Sequence, residues 1–316
     1  MPKAELHVHL EGSLRAEAVC ALGAKHGVPV SVEEVLQRYA YGNFLEFIET
    51  FKWVSSLLRE PEDYGLALRD LGEQLLAQRV VYAEVTLSVG VMLLRHQSPE
   101  KNFEAILGAA ESFVERGLRI NFVFDAVRQF GASAAMRVVE AAEQCASRAI
   151  VAFGIGGDEL SVPAVEFRSV YERAATVGLH RLMHAGEIGG PQEIRNAIEL
   201  LGVERIGHGI GAVHDPELMR MLADRGIPLE VCPQSNIRTG ALARQLGVTE
   251  AQIEQHPLPV LLRRGVPIVL STDDPAMFHT SLAAEYENAR RMGLREEELI
   301  HVVRMGFDHA FSSVPA

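Results

Sequence analysis

The chain has only three cysteines among its 316 residues, Cys20, Cys145 and Cys232, widely spaced and without a C-x-x-C pair. That excludes a disulfide framework and a thiolate zinc site of ordinary spacing, and it points to a reducing compartment. No stretch of about 20 apolar residues occurs, and none of signal-peptide length follows Met1, so neither a membrane span nor a leader is expected and the location reads as cytoplasmic. Basic charge is in short supply. The 30 Lys and Arg stand against 42 Asp and Glu, a formal net charge of -12. A phosphate backbone needs clustered cations that displace its counterions, so nucleic acid is not an expected partner and a small-molecule substrate is. Low-complexity tracts and Pro/Gly/Ser-rich linkers are missing too, as is a G-x-G-x-x-G after the first apolar run, where a dinucleotide-binding sheet would carry one.

What is present is a repeated alternation. Hydrophobic residues make up 48% of the chain, an ordinary globular content. Short β-branched or apolar runs predict strands at Ala4 to His9, Val80 to Leu87, Arg119 to Ala126, Ile150 to Ile155, Arg181 to His184, Arg205 to Gly207, Pro228 to Cys232 and Pro267 to Ser271. Between them, Pro99 to Arg116, Ala132 to Arg148 and Pro191 to Leu201 place apolar residues three and four apart, as half-buried helices do. Eight strands alternating with helices predict an α/β fold, a single (β/α)8 TIM barrel spanning residues 1–316 as one domain. A helical insertion after strand 1, residues 16–78, carries Phe44, Phe47, Phe51 and Trp53. Placed at the barrel mouth it can form a lid, and the same aromatic stripe can equally pack the insertion onto the barrel.

His7 and His9 are two apart on the first strand and therefore point to one side, able to converge on one ion. Four further polar clusters sit at the ends of later strands: His184-Ala185-Gly186-Glu187, Gly207-His208-Gly209, Ser235-Asn236 and Ser271-Thr272-Asp273-Asp274-Pro275. Each alone has a plain structural explanation: a core histidine for His184, a helix cap for Glu187, an N-cap for Asp273 and Asp274. Together, at strand ends that a barrel brings to one mouth, they make a constellation. Three imidazoles and a carboxylate suit zinc, so His7, His9, His184 and Asp273 are the expected ligands of one Zn2+ ion. Such an ion lowers the pKa of a held water towards ~7. His208 and Asp274 are then placed to orient and deprotonate that water. Glu187, three residues past His184, is placed as a partly desolvated acid able to protonate a ring nitrogen.

These segments, with Lys3-Ala4-Glu5-Leu6-His7-Val8-His9-Leu10-Glu11-Gly12, Gly157-Asp158-Glu159 and Cys232-Pro233, resemble the adenosine deaminase family in order along nearly the whole chain. The resemblance implies one zinc ion and hydrolytic loss of the 6-amino group of an adenine nucleoside as ammonia. It implies His7, His9, His184 and Asp273 as ligands, Glu187 as the donor to ring N1, and His208 as the group that positions the attacking oxygen and assists proton transfer. It also implies Asp274 at purine N7, Gly157 on the N3 side, and Glu11 where the family carries an Asp facing the ribose. The P-C-x-x-C of the other zinc deaminase design is absent.

Glu11, the run Gly154-Ile155-Gly156-Gly157 and the stretch Glu84 to Val91 are most similar to the 6-aminodeoxyfutalosine deaminase branch, which serves menaquinone biosynthesis. A substrate of that kind carries a benzoate, for which Lys52, Arg59, Arg95 and Arg238 are the candidate cations. Adenosine or adenine deamination is the alternative. More distant are a two-metal amidohydrolase or phosphoesterase, disfavoured because the fourth strand has no Lys, and a non-catalytic nucleoside-binding protein.

Overall fold

All eight expected strands form, as β1 (Lys3–His9), β2 (Val80–Leu87), β3 (Arg119–Val127), β4 (Ile150–Gly156), β5 (His180–Ala185), β6 (Arg205–His208), β7 (Leu229–Val231) and β8 (Ile268–Leu270). They pair in parallel in chain order in a computed structural model that describes residues 1–42 and 44–312. Between β8 and β1 the sheet is joined by a single parallel bridge, Val8 to Asp273. There His9 N–H donates to the Asp273 carbonyl at 2.8 Å and Asp273 N–H to the His7 carbonyl at 2.9 Å. The architecture is the TIM-barrel type, in which strand C-terminal ends share one mouth.

The strand ends differ from expectation where proline intervenes. Pro228 and Pro267 have no N–H to give a ladder. Only their carbonyls take part, accepting from Ile206 and Leu229, and regular strand begins one residue later. The helix Pro191–Leu201 forms with the expected bounds, whereas Pro99–Val114 and Gly131–Cys145 end two and three residues early. Ala146, at φ 49°, terminates the latter in a left-handed turn.

The insertion folds as four helices, α1 (Ala16–Lys25), α2 (Val32–Tyr39), α3 (Phe44–Ser55) and α4 (Pro61–Ala77). Ser31 and Glu34 form a reciprocal capping box at the start of α2, which satisfies two otherwise orphaned amides. Helix α4 starts at Pro61, whose missing N–H costs nothing at that position. On α3, Phe47 packs against Tyr41 and Phe278, with ring centroids 5.5 and 5.0 Å away, so the insertion is tied to the segment that follows β8.

The barrel interior is less apolar than its strands suggest. Arg205 on β6 is fully buried and paired with Glu84 on β2 and Glu230 on β7, both at 2.6 Å. Its guanidinium lies 3.6 Å from the centre of the Phe311 ring, which covers the floor. A buried charge is costly unless paired on every side, and here two carboxylates, the ring and the His309 carbonyl at 2.9 Å supply the partners.

Candidate active site

The C-terminal ends of β1, β5, β6 and β8 bring His7, His9, His184, His208 and Asp273 together. The His7 ring centroid is 5.4 Å from that of His9, 4.7 Å from His184 and 5.1 Å from His208. One ligand atom from each of His7, His184, His208 and Asp273 falls within 4.8 Å of the others. His9 belongs to the same cluster, its Nε2 lying 3.2 Å from Asp273 Oδ1, with His7 Nε2 at 3.4 Å from that oxygen. All are buried.

The donor set fits a metal ion. His7 Nδ1 meets Glu230 Oε2 at 2.7 Å, and Glu230, held by Arg205, stays below the ordinary carboxylate range although burial works against it. An ionised carboxylate can only accept. The Nδ1 proton is thereby fixed. Burial would lower the His7 pKa, but without an ion Asp273 and Glu230 hold it well above the ordinary value, so Nε2, buried with no well-aligned partner, is the nitrogen that would exchange its proton for a metal ion. That pairing of imidazole with an outer carboxylate is the usual support of a metal ligand. Asp273 is also held in place, accepting from Ser235 Oγ at 2.7 Å. Burial alone would raise its pKa, but the His7 and His9 imidazoles hold it well below the usual value.

Glu187 stands beside the cluster, its Oε2 at 3.7 Å from His208 Nε2. Burial, reinforced by the charges of Asp273 and Glu159, pushes its pKa up to about 8, so it carries a proton at neutral pH. Its loop is anchored by Glu159, a buried carboxylate accepting from the amides of Gly186, Ile188 at 2.9 Å and Gly189 at 2.8 Å. Asp274 is raised well above the carboxylate range by burial and by Asp273, and its Oδ1 has no partner. His208 is the opposite case, with burial lowering it to about 4, so it is neutral.

A cavity of about 210 Å³ opens over these groups. His9, Asp125, Gly156, Gly157, His184, Glu187, His208, Thr239, Asp273 and Asp274 form its polar depth, and Phe44, Phe47, Ile48, Phe51, Val91, Val127, Phe130 and Ile188 its apolar mouth. A larger depression of about 610 Å³ at the other end of the barrel, near Arg173 and Phe311, gathers none of the His and Asp cluster.

The remaining expected residues separate cleanly. Gly157 lines the cavity at φ 97°. Any side chain there would be strained, and its Cβ would sit 2.5 Å from Gln129 Oε1. Glu11 does not line the cavity. One of its carboxyl oxygens accepts from the N–H of Ser88, itself a lining residue, at 3.1 Å, and the other is buried without a partner. Of the four candidate cations only Lys52 reaches the cavity. Arg95 and Arg238 donate to main-chain carbonyls of the insertion, and Arg59 to the Ser56 carbonyl. Trp53 lies under the Arg38 guanidinium at 4.5 Å and is not in the wall. Sequence reasoning placed Glu159 within a motif and gave no role to it or to Asp125, Glu230, Thr239 and His256. A lone acid inside an apolar strand was the available signal for two of them, Asp125 in Phe124-Asp125-Ala126 and Glu230 in Leu229-Glu230-Val231.

A family model described as adenosine deaminase matches residues 2–316. The aminodeoxyfutalosine deaminase of Streptomyces coelicolor is 35% identical over 322 residues, an alignment covering 100% of this chain and 81% of that protein. Among solved structures, an adenine deaminase from Arthrobacter aurescens superposes with a TM-score of 0.91 at 27% identity, covering 99% of this chain and 94% of that one. An amidohydrolase from Burkhoderia ambifaria with bound Zn gives 0.90 at 25% identity, covering 99% and 86%. Among the described residues no helix is long and apolar enough to cross a membrane.

Proposed function

The chain belongs to the adenosine deaminase family, a family of hydrolytic deaminases, and from that premise we propose that it removes the 6-amino group of an adenine nucleoside whose 5′ side bears an apolar group ending in a carboxylate, 6-aminodeoxyfutalosine being the substrate. The supporting observation is the two-part cavity: a polar depth that includes Glu187 and Asp274 and an aromatic mouth that includes Phe44, Phe47, Phe51 and Phe130, with Lys52, paired at the surface with Glu49 at 2.8 Å, as the one Lys or Arg among its described lining residues. The aminodeoxyfutalosine deaminase relative adds weight to that reading.

One Zn2+ ion per chain would be held by His7, His9, His184 and Asp273, and a bound divalent ion there supplies the Lewis acidity that makes water a usable nucleophile near neutral pH. The chain's own groups do the rest. Protonated Glu187 donates to ring N1, which drains electron density from C6 as the water oxygen attacks. Protonated Asp274 donates to N7, a nitrogen that only accepts. Gly157, without a side chain, lets the ring approach on its N3 side. His208 holds the attacking oxygen. Of the attacking water's two protons, one restores Glu187 and the other completes the leaving amine; the C6–N6 bond breaks, ammonia departs and a C6–O bond replaces it, with the proton from Glu187 kept on N1. Helices α1–α4 act as the cover of a single-domain enzyme, and the three free cysteines fit a reducing, cytoplasmic setting.

The test is ammonia release from 6-aminodeoxyfutalosine, adenosine and adenine by the zinc-loaded protein and by Lys52→Ala. The carboxylate-bearing nucleoside should have the highest kcat/KM. Since Lys52 is exposed, its pair is worth up to about 1 kcal/mol, so Lys52→Ala should raise KM for that substrate by at most about fivefold and leave adenosine unchanged. Adenine as the best substrate would refute the proposal.

A further inference from the structure

The nitrogen of His208 that faces the site has its protonation state dictated from outside the site, through a chain of three buried groups that starts at the main chain. Leu258 N–H donates to His256 Nδ1 at 3.1 Å. A backbone amide is always a donor, so His256 Nδ1 is an acceptor and its ring proton is on Nε2. That Nε2–H meets Asn236 Oδ1 at 3.2 Å, which orients the amide with its oxygen towards His256 and its NH2 towards His208. Asn236 Nδ2 donates to His208 Nδ1 at 3.1 Å. With Nδ1 accepting, the one ring proton of neutral His208 must be on Nε2. Asn236, His256 and His208 are all buried, at 0%, 3% and 1% exposure, so no solvent competes to reset a link.

We propose that Asn236 and His256 are positioning residues that lock His208 as the Nε2–H tautomer, making it a hydrogen-bond donor to the attacking oxygen. Two consequences follow. His208 Nε2 has no lone pair for a metal, so His208 is excluded from the ligand set although its ring lies inside the cluster, and His9 takes the fourth place. Nor can His208 accept a proton at Nε2 in the resting state, so the reading of His208 as the group that deprotonates water gives way to one in which it orients the oxygen. The donor points into the gap between Glu187 Oε2 at 3.7 Å and Asp273 Oδ2 at 3.8 Å, a position from which it would reach an oxygen placed between them.

The catalytic consequence rests on the deaminase reading above, while the tautomer does not, so the two are measured separately. Histidine 15N–1H two-bond spectra of the zinc-loaded protein, with the His208 signals identified by their loss in His208→Gln, report the tautomer directly. The expected pattern is Nε2–H for the wild type. Asn236→Asp reverses the last link, because a carboxylate accepts from both rings; His208 should become the Nδ1–H tautomer, and kcat should fall on the order of 10²-fold, the usual cost of losing one aligned donor, with KM within about threefold. An Nδ1–H or doubly protonated His208 in the wild type overturns the proposal whatever the variant does. An unchanged tautomer in Asn236→Asp also overturns it. A reversed tautomer with unchanged kcat leaves the lock standing and removes its role in the reaction.

Discussion

Asp273 and His9 share a main-chain hydrogen bond of 2.8 Å, and the reciprocal bond from Asp273 N–H to His7 makes this residue the seam at which β8 meets β1. The carboxylate and two of the imidazoles that face the cluster are therefore set by the same contact that joins the sheet's first and last strands. Asp273 adopts a left-handed φ of 66° to do so, a conformation that Asp and Asn tolerate better than other non-glycine residues.

That geometry separates folding from metal binding. Asn keeps the backbone preference and the volume but not the charge, so Asp273→Asn should give the native far-ultraviolet circular dichroism spectrum while zinc affinity falls by more than the 10–100-fold typical of losing an outer partner. Equilibrium competition with a chelator measures it. Retained wild-type affinity would remove Asp273 from the ligand set.

Gly12 is held to glycine by what lies opposite. A Cβ there would fall 1.7 Å from Asp274 Oδ1, so Gly12→Ala must displace the Asp274 carboxyl. A misplacement of about 1 Å costs on the order of 10²-fold in rate, and kcat/KM should fall by that order while zinc content stays at the wild-type level. Unchanged kcat/KM would mean that Asp274 does not touch the substrate.

The pH dependence follows from Glu187. Burial raises its pKa to about 8, and a group that must donate a proton is competent only while it holds one. The rate should therefore be sustained at neutral pH and decline as pH rises through the pKa. A bound cation favours the carboxylate form, so the decline in the zinc-loaded enzyme should be centred at or below about 8. A kcat that still climbs above about pH 9 would contradict this assignment.

The barrel was legible in the sequence because each strand is a short apolar run and each helix has its own three-to-four periodicity. The cluster was legible for a different reason: His7 and His9 share a face by simple alternation, and His184, His208 and Asp273 stand where strands end. What supports them was not. Glu230 and Glu159 act on residues far away in the chain, and His256 acts only through Asn236, so no local spacing reveals what they do, although Glu230 stands out as a lone acid in an apolar strand and Glu159 lies in the Gly157-Asp158-Glu159 motif. The candidate cations were narrowed only by the structure: Arg95 and Arg238 donate to main-chain carbonyls, whereas Lys52 pairs with the exposed Glu49 at 2.8 Å and lines the cavity. Glu11 stands beside the cluster as the sequence implies: one carboxyl oxygen accepts from Ser88 N–H at 3.1 Å and the other is buried without a partner, near enough to His9 for the two charges to interact.

The most direct test of the account is ammonia release by Glu187→Gln in parallel with a zinc assay. Glutamine keeps the size and the hydrogen-bonding reach but has no acid proton to transfer, so zinc should remain bound while kcat falls by about 10²–10⁴-fold. Ammonia release at the wild-type rate, with zinc in place, would contradict the proposed chemistry.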